Sequence, residues 1–191
     1  FIDRENYSWH FQVKPCDMKN SDSINEYYYN LGKIQALLYL LGAQDIIPDN
    51  LIVIGNCPYI IDCESVVSKK FKHLDSTKIS AYLQSSVLET GILPDWMFNG
   101  ANDRSQISSV LFEFDDSNFH LPKKEGKSYP ITPETLQDLE KGFTDACNFM
   151  RAHKLDLLSY IYSYDFNFMR SRVLLHPTVI YSYILTEMVT P

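Results

Sequence analysis

The sequence has no long hydrophobic run and little positive charge. No stretch of roughly 18 or more apolar residues occurs, so a transmembrane helix is not expected. The first residues do not follow the basic-then-apolar order of a secretion signal. The formal net charge is −7. This charge argues against a nucleic-acid partner, because binding to a phosphate backbone requires a basic surface.

Cysteine is scarce as well, with four widely spaced residues, Cys16, Cys57, Cys63 and Cys147. No two of them form a Cys-x-x-Cys pair and no histidine cluster joins them, which argues against a zinc site. Such thiols are typical of the reducing cytosol, so we expect a cytoplasmic protein with ordinary free cysteines. Apolar residues make up 45% of the 191-residue chain, which predicts one domain with a sizeable core.

Local patterns predict a first helix followed by a β-hairpin. A capping box at Ser23 and Glu26 opens a helix whose apolar residues recur at helical spacing to about Leu41. Gly42 is a natural end for this helix. Short apolar runs at 51–54 and 59–62, joined through a Gly-Asn pair, predict the hairpin.

The remaining segments contain more helix signals than strand signals. Helices are expected at 77–89 before Gly91, at 133–153 after an N-cap at Thr132, at 155–164 and at 177–184, and strands at 9–13 and 172–175. Polar residues with several glycines and prolines predict a long, partly mobile loop excursion at 99–130. The predicted fold class is therefore α+β and mainly α.

The pattern that carries chemistry lies between the first helix and the end of the hairpin. Asp45 precedes Asn50 by five residues, and Asp62 follows the second strand. In kinases one Asp orients the attacking hydroxyl and accepts its proton, while an Asn and a second Asp hold Mg²⁺. The order and spacing predict a protein-kinase-like C-lobe with a short β-hairpin at the catalytic loop. The alternative is that Asp45 and Asn50 only cap turns after a helix.

Several further segments resemble the dehydratase domain of class II lanthipeptide synthetases, the LanM type. They are Tyr7-Ser-Trp9, Lys14-Pro-Cys16, the stretch from Gly55 to Asp62-Cys-Glu64, Ser86-Val-Leu-Glu-Thr-Gly-Ile-Leu-Pro94, Gly142-Phe143 and Arg172-Val-Leu-Leu-His-Pro-Thr178 with Tyr181. These matches occur in the family's order across residues 7–181. The segments at 86–94 and 172–178 have no counterpart in ordinary kinases.

The resemblance implies a two-step reaction on a ribosomal precursor peptide. Enzymes of this family phosphorylate Ser and Thr with ATP and then eliminate the phosphate to leave dehydroalanine or dehydrobutyrine. By carry-over, Asp45 serves the hydroxyl in the first step. Asn50 and Asp62 bind Mg²⁺, and Glu64 is the family's additional acidic partner.

The resemblance assigns the second step to Arg172 and Thr178. A departing phosphate needs its charge neutralised, and an arginine fork does this with two parallel hydrogen bonds. Removal of the Cα proton is a task for a general base. The alternatives are a structural ion pair for Arg172 and a helix N-cap beside Pro177 for Thr178.

The sequence also departs from the family pattern. Ile47 stands where the family has a His, Asp49 replaces a Glu, and His176 stands where a second Arg is common. The family's upstream phosphate-contacting Lys motif and its downstream Cys/His zinc cyclase have no match here. We therefore expect residues 1–191 to be a single partial domain that is inactive alone, with the N-lobe and cyclase portions supplied by the same or a companion chain.

Two other functions remain open from the sequence. A non-catalytic, pseudokinase-like module that binds a peptide or a partner is favoured by Ile47, because an apolar side chain cannot shuttle a proton. A small-molecule or protein kinase C-lobe is disfavoured by the matches at 86–94 and 172–178.

Overall fold

The computed structural model describes residues 2–3, 8–9, 12–18, 22–44, 46–67, 86–94, 110–112, 119–163, 184–185 and 188. Within these residues the fold is mainly helical with three small antiparallel sheets, so the prediction of a mainly helical α+β protein is confirmed. In chain order the elements are β1 (Ile2–Asp3), β2 (Ser8–Trp9), α1 (Asp22–Leu41), β3 (Leu51–Ile54), β4 (Cys57–Ile60), β5 (Lys123–Lys124), β6 (Lys127–Ser128), α2 (Pro133–Ala152) and α3 (Lys154–Ser163). None of the described helices is both long and apolar enough to cross a membrane.

Helix α1 ends in a hydrogen-bond pattern that the sequence predicts. Gly42 has a φ of 74°, the left-handed conformation that glycine adopts without steric cost. Its N–H donates to the carbonyl of Tyr39 at 3.2 Å, and the N–H of Ala43 donates to that of Leu38 at 2.9 Å. These two bonds form a Schellman motif, and both Leu38 and Ala43 are buried. At the other end, Ser23 lies inside the helix and not at its N-cap, because the helix already includes Asp22.

Helices α1 and α2 cross with their backbones in direct contact. A Cβ atom on Gly32 would lie 2.0 Å from the carbonyl oxygen of Leu139, and one on Gly142 would lie 1.9 Å from that of Tyr29. Only glycine fits at either position. The close crossing places Leu31 and Leu139 in one buried cluster with the residues that precede the candidate site.

The β3–β4 hairpin forms as predicted, with strand β4 two residues earlier than expected. Leu51 pairs with Ile60 and Ile54 with Cys57, and Gly55 opens the two-residue turn with a φ of 60°. The other edge of β3 is covered, because Cys16 bridges Ile54. The hairpin is therefore fixed on the body of the protein.

Part of the predicted excursion at 99–130 packs into the core. Val110, Leu111 and Leu121 are buried, and β5 and β6 form a short hairpin. Two tyrosine hydroxyls of α1 hold this segment: Tyr27 donates to the carbonyl of His120 at 2.8 Å, and Tyr28 to that of Tyr129 at 2.8 Å. The segment is polar overall, and for this reason the sequence did not indicate that these isolated apolar residues are buried.

Other boundaries differ from the sequence prediction in places. Ser86 is extended, with φ −94° and ψ 169°, so a helix cannot continue to Glu89, and a short 3₁₀ helix, Val87–Thr90, begins there instead. Helix α2 starts at Pro133 after an N-cap at Thr132, as predicted, and the structure adds a capping box between Thr132 and Thr135. Residues 12–13 are not in a strand. The strand expected at 172–175 and most of the helix expected at 177–184 fall outside the described residues.

Candidate active site

The open end of the hairpin brings Asn50 beside the residue that precedes Asp62. Asn50 ends a short 3₁₀ helix, Pro48–Asn50, that leads directly into β3. The N–H of Ile61 donates to the carbonyl of Asn50 at 2.9 Å, which extends the hairpin pairing by one residue. The two predicted metal ligands therefore emerge from neighbouring backbones, one on each side of the hairpin.

A second backbone bond joins the same two loops farther from the hairpin. The N–H of Gln44 donates to the carbonyl of Ser65 at 3.2 Å, and Ser65 is only 3% exposed. Residues 44–50 and 61–65 are thus tied together at both ends, and we call them the paired loops. Asp45 lies outside the described residues, but its sequence neighbours Gln44 and Ile46 are both held in place.

A third segment, residues 86–94, supports the first of the paired loops. The N–H of Ile46 donates to the carbonyl of Thr90 at 2.9 Å. A Cβ atom on Gly91 would lie 2.9 Å from the nitrogen of Ile46, so this close approach requires glycine, which also has a φ of 82°. The side-chain Nε2 of Gln44 donates to Oε1 of Glu89 at 2.8 Å. The segment that resembled Ser-Val-Leu-x-Thr-Gly thus contacts both neighbours of Asp45.

Asp62 organises the second of the paired loops. Its Oδ1 accepts a hydrogen bond from the N–H of Glu64 at 3.1 Å, a local turn typical of aspartate. Although Cys63 is an exposed residue, partial desolvation of its sulfur and, secondarily, the Asp62 carboxylate raise the pKa of its thiol. Cys63 is therefore mainly the neutral thiol near neutral pH, which argues against a nucleophilic cysteine here.

The proposed metal ligands offer oxygen atoms of the kind that Mg²⁺ prefers. Asn50 supplies an amide oxygen, and Asp62 and Glu64 supply carboxylates. Asp62 is half-buried and Glu64 is exposed, so both charges remain accessible to solvent. Among the described residues no three His, Cys, Asp or Glu side chains gather as a metal site. The Mg²⁺ assignment therefore stays a prediction from the motif.

The outer face of the hairpin is apolar and partly exposed, which the sequence analysis did not single out. Leu51 and Val53 are buried, whereas Ile52 and Ile54 between them are only half-buried. Across the hairpin, Tyr59 pairs with Ile52 and is 45% exposed. The continuous apolar run at 51–54 gave no signal in the sequence that one face would stay partly exposed. This face continues toward Asn50 at the open end.

The comparison with known proteins identifies the family. A model of a domain of unknown function, DUF4135, matches residues 1–128, which is more than half of the chain. The chain belongs to the DUF4135 family. The lacticin 481/lactococcin biosynthesis protein LcnDR2 of Lactococcus lactis subsp. lactis is 24% identical over 223 residues. That alignment covers 100% of this chain and 24% of LcnDR2, so the chain spans about a quarter of the length of this curated relative.

The DUF4135 match includes the paired loops, and with them Asn50, Asp62 and Glu64. Arg172 and Thr178 lie beyond it, within the alignment to LcnDR2, and outside the described residues of the structure. The chain is related to a lanthipeptide biosynthesis protein, in agreement with the resemblance drawn from its motifs.

Proposed function

We propose that this DUF4135 chain forms the kinase-like C-lobe portion of a lanthipeptide dehydratase. The observation that carries the proposal is the pairing of two loops, one with Asn50 and the anchored neighbours of Asp45, the other with Asp62. This is the arrangement a phosphoryl-transfer site needs, because its catalysis depends mainly on positioning and on electrostatic stabilisation. The relation to a lacticin 481 biosynthesis protein supports lantibiotic maturation as the pathway.

The first step is phosphorylation of a Ser or Thr hydroxyl of the precursor peptide. Asp45 accepts the hydroxyl proton, while the hydroxyl oxygen bonds to the γ-phosphorus of ATP and the bond to the bridging oxygen of ADP breaks. Asn50, Asp62 and Glu64 would hold Mg²⁺, and the ion would neutralise charge on the phosphates. The donor set fits this ion because all three side chains present oxygen ligands.

The outer face of the hairpin supports ATP as the phosphate donor. Ile52 on β3 and Tyr59 on β4 form a partly exposed apolar surface, and β3 begins directly after Asn50. A purine ring buries apolar area on such a surface while its phosphates extend toward the metal ligands. The binding pocket for a nucleotide typically combines apolar walls with a few placed polar groups.

The second step is elimination of the phosphate. Arg172 neutralises the departing phosphate through paired hydrogen bonds, and Thr178 orients it through its hydroxyl. A base removes the Cα proton, the electron pair forms the Cα–Cβ double bond, and the bond between Cβ and the phosphate oxygen breaks. The products are inorganic phosphate and a dehydroamino acid.

A non-catalytic peptide-binding module is the second candidate. Ile47 stands where the resembling family has a His, and it is half-buried between the two anchored parts of the first loop. An isoleucine neither donates a hydrogen bond nor transfers a proton. This substitution is the observation that favours a pseudokinase-like function. In either case we propose that the partner is a ribosomal precursor peptide. We also propose that this chain acts in the cytoplasm together with the N-lobe and cyclase portions of the same or a companion chain.

The test is the mass of a peptide substrate. The longest natural polypeptide that contains residues 1–191 is incubated with the lacticin 481 precursor peptide, ATP and Mg²⁺, and the peptide is weighed by mass spectrometry. We expect loss of water at Ser and Thr, which Asp45→Asn and Asp62→Asn abolish. The matched control is Glu140→Gln on the exposed side of α2. Dehydration that Asp45→Asn leaves unchanged contradicts the proposal, and an unmodified peptide that still binds supports the non-catalytic module.

A further inference from the structure

We propose that Gln44 and Glu89 are positioning residues for Asp45. The inference rests on the proposed function and assigns the segment at 86–94 a task in it: holding the backbone on both sides of the catalytic aspartate. The contact between Gln44 Nε2 and Glu89 Oε1 is 2.8 Å, and it joins residues 45 positions apart in the chain. We call this contact the loop clamp.

The residues on both sides of Asp45 are fixed from two directions. On one side, Gln44 donates its backbone N–H to Ser65 and its side-chain amide to Glu89. On the other side, Ile46 donates its N–H to Thr90 and is completely buried. Glu89 and Thr90 are adjacent, so one short segment contacts both neighbours of the aspartate.

The segment that supplies the clamp is held together by its own hydrogen bonds. Ser86 caps its 3₁₀ helix by accepting the N–H of Leu88 at 3.2 Å, and Thr90 Oγ1 donates to the carbonyl of Val87 at 2.8 Å. Gly91 ends the helix in the left-handed conformation and permits backbone contact with Ile46. A support held in this way transmits position to the loop, whereas a mobile one would not.

The clamp has chemical consequences beyond stability because its acceptor is a carboxylate. A hydrogen bond to an ionised acceptor is about twice as strong as a neutral one. Catalysis is sensitive to small displacements, and a shift of about 1 Å in a reacting group costs on the order of a hundredfold in rate. Loss of the clamp should therefore lower kcat more than it changes the KM for ATP, since neither residue belongs to the proposed nucleotide surface.

A donor–acceptor swap separates positioning from bulk structure. Gln44→Glu places two carboxylates in contact and breaks the clamp. Glu89→Gln keeps an acceptor oxygen of the same size but removes its charge, so it should weaken the clamp without breaking it. The double variant Gln44→Glu with Glu89→Gln restores a hydrogen bond with the donor on the other side. Glu140→Gln on α2 is the matched control, because it makes the same chemical change at an exposed position.

Two readouts on the longest natural polypeptide containing these residues test the proposal. The first is hydrogen exchange at the amides of Gln44 and Ile46. The second is kcat and KM for phosphorylation of the lacticin 481 precursor peptide. For Gln44→Glu we expect hydrogen exchange at both amides to become about tenfold faster or more, with unchanged exchange in α1. We expect kcat to fall by about tenfold or more. The swapped double variant should recover most of both.

The two hypotheses fail in different ways. If Gln44→Glu leaves both exchange and kcat at the wild-type level, or if the double variant recovers neither, the positioning role is wrong even though the kinase activity stands. If the wild type transfers no phosphate while exchange at Ile46 responds to the swap, the proposed function is wrong and the clamp is supported as a physical contact.

Discussion

A methyl group added at the crossing of α1 and α2 should destabilise the protein strongly. In Gly142→Ala the new Cβ would lie 1.9 Å from the carbonyl oxygen of Tyr29, a backbone atom that no side-chain rotation can move. Ordinary contact begins at 3.4 Å, so the helices must separate locally by about 1.5 Å. Such a shift also loosens packing around Leu139, one helical turn away on α2.

The size of this destabilisation is the difference between a packing cost and a gain in helix propensity. Forcing extra volume into a packed interface costs about 1–3 kcal/mol, and a gap of about 1 Å forfeits up to about half of the dispersion energy of the affected contacts. Replacing glycine by alanine inside a helix returns about 1 kcal/mol through helix propensity. Because the added atom overlaps a backbone atom, the overpacking cost lies at the top of that range or above it, and for Gly142→Ala we expect a net loss of about 2 kcal/mol or more in the free energy of unfolding.

Urea denaturation followed by circular dichroism measures this loss. The control is Gly126→Ala in the β5–β6 turn, where no atom lies within 4 Å of the added Cβ and φ is 76°. This variant should lose only the cost of the left-handed conformation, about 1–2 kcal/mol. A Gly142→Ala protein that is as stable as the wild type would refute the close helix crossing.

Three further changes give distinct expected results. Thr132→Ala removes the capping box of α2 and should cost about 1 kcal/mol in urea denaturation. Tyr27→Phe removes the donor to the His120 carbonyl at a buried site and should cost about 1–3 kcal/mol. Asp62→Asn removes the smaller of the two causes that raise the pKa of Cys63. Alkylation of Cys63 by iodoacetamide should therefore speed up at neutral pH, and its pH profile should shift toward lower pH, because the thiolate is the reactive form.

These three predictions have separate controls. Thr132→Ser keeps the capping hydroxyl and should retain most of the stability, so equal losses for Ser and Ala would contradict the cap. Tyr162→Phe, at an exposed position on α3, should have little effect, and a larger loss there than at Tyr27 would contradict the buried bond. The alkylation assay uses variants with Cys63 as the single cysteine. An unchanged pH profile in Asp62→Asn would show that burial alone sets the reactivity.

The features that the sequence predicts well are set by neighbouring residues. The end of α1 at Gly42, the hairpin through Gly55 and the start of α2 after Thr132 each depend on one glycine or one capping side chain. The roles of Asp45, Asn50 and Asp62 stay predictions from the motif. The register of the hairpin then brings the backbones of Asn50 and Ile61 together.

The features that the sequence does not reveal depend on distant contacts. Nothing in the local pattern indicates that Thr90 bonds to Ile46 or that Ser65 bonds to Gln44. The capping signal at Ser23 was misleading because the helix begins before it. Buried residues such as Leu121 were hidden in a polar stretch because their burial depends on contacts with remote elements.

The central proposal is that this chain supplies residues for both phosphoryl transfer and phosphate elimination. The most direct test compares Asp45→Asn with Arg172→Ala, each in the longest natural polypeptide containing them, by mass spectrometry of the lacticin 481 precursor peptide with ATP and Mg²⁺. We predict that Asp45→Asn yields unmodified peptide, whereas Arg172→Ala accumulates peptide carrying phosphate on Ser and Thr. Dehydrated peptide formed by Asp45→Asn, or complete dehydration by Arg172→Ala without phosphopeptide, would contradict the account.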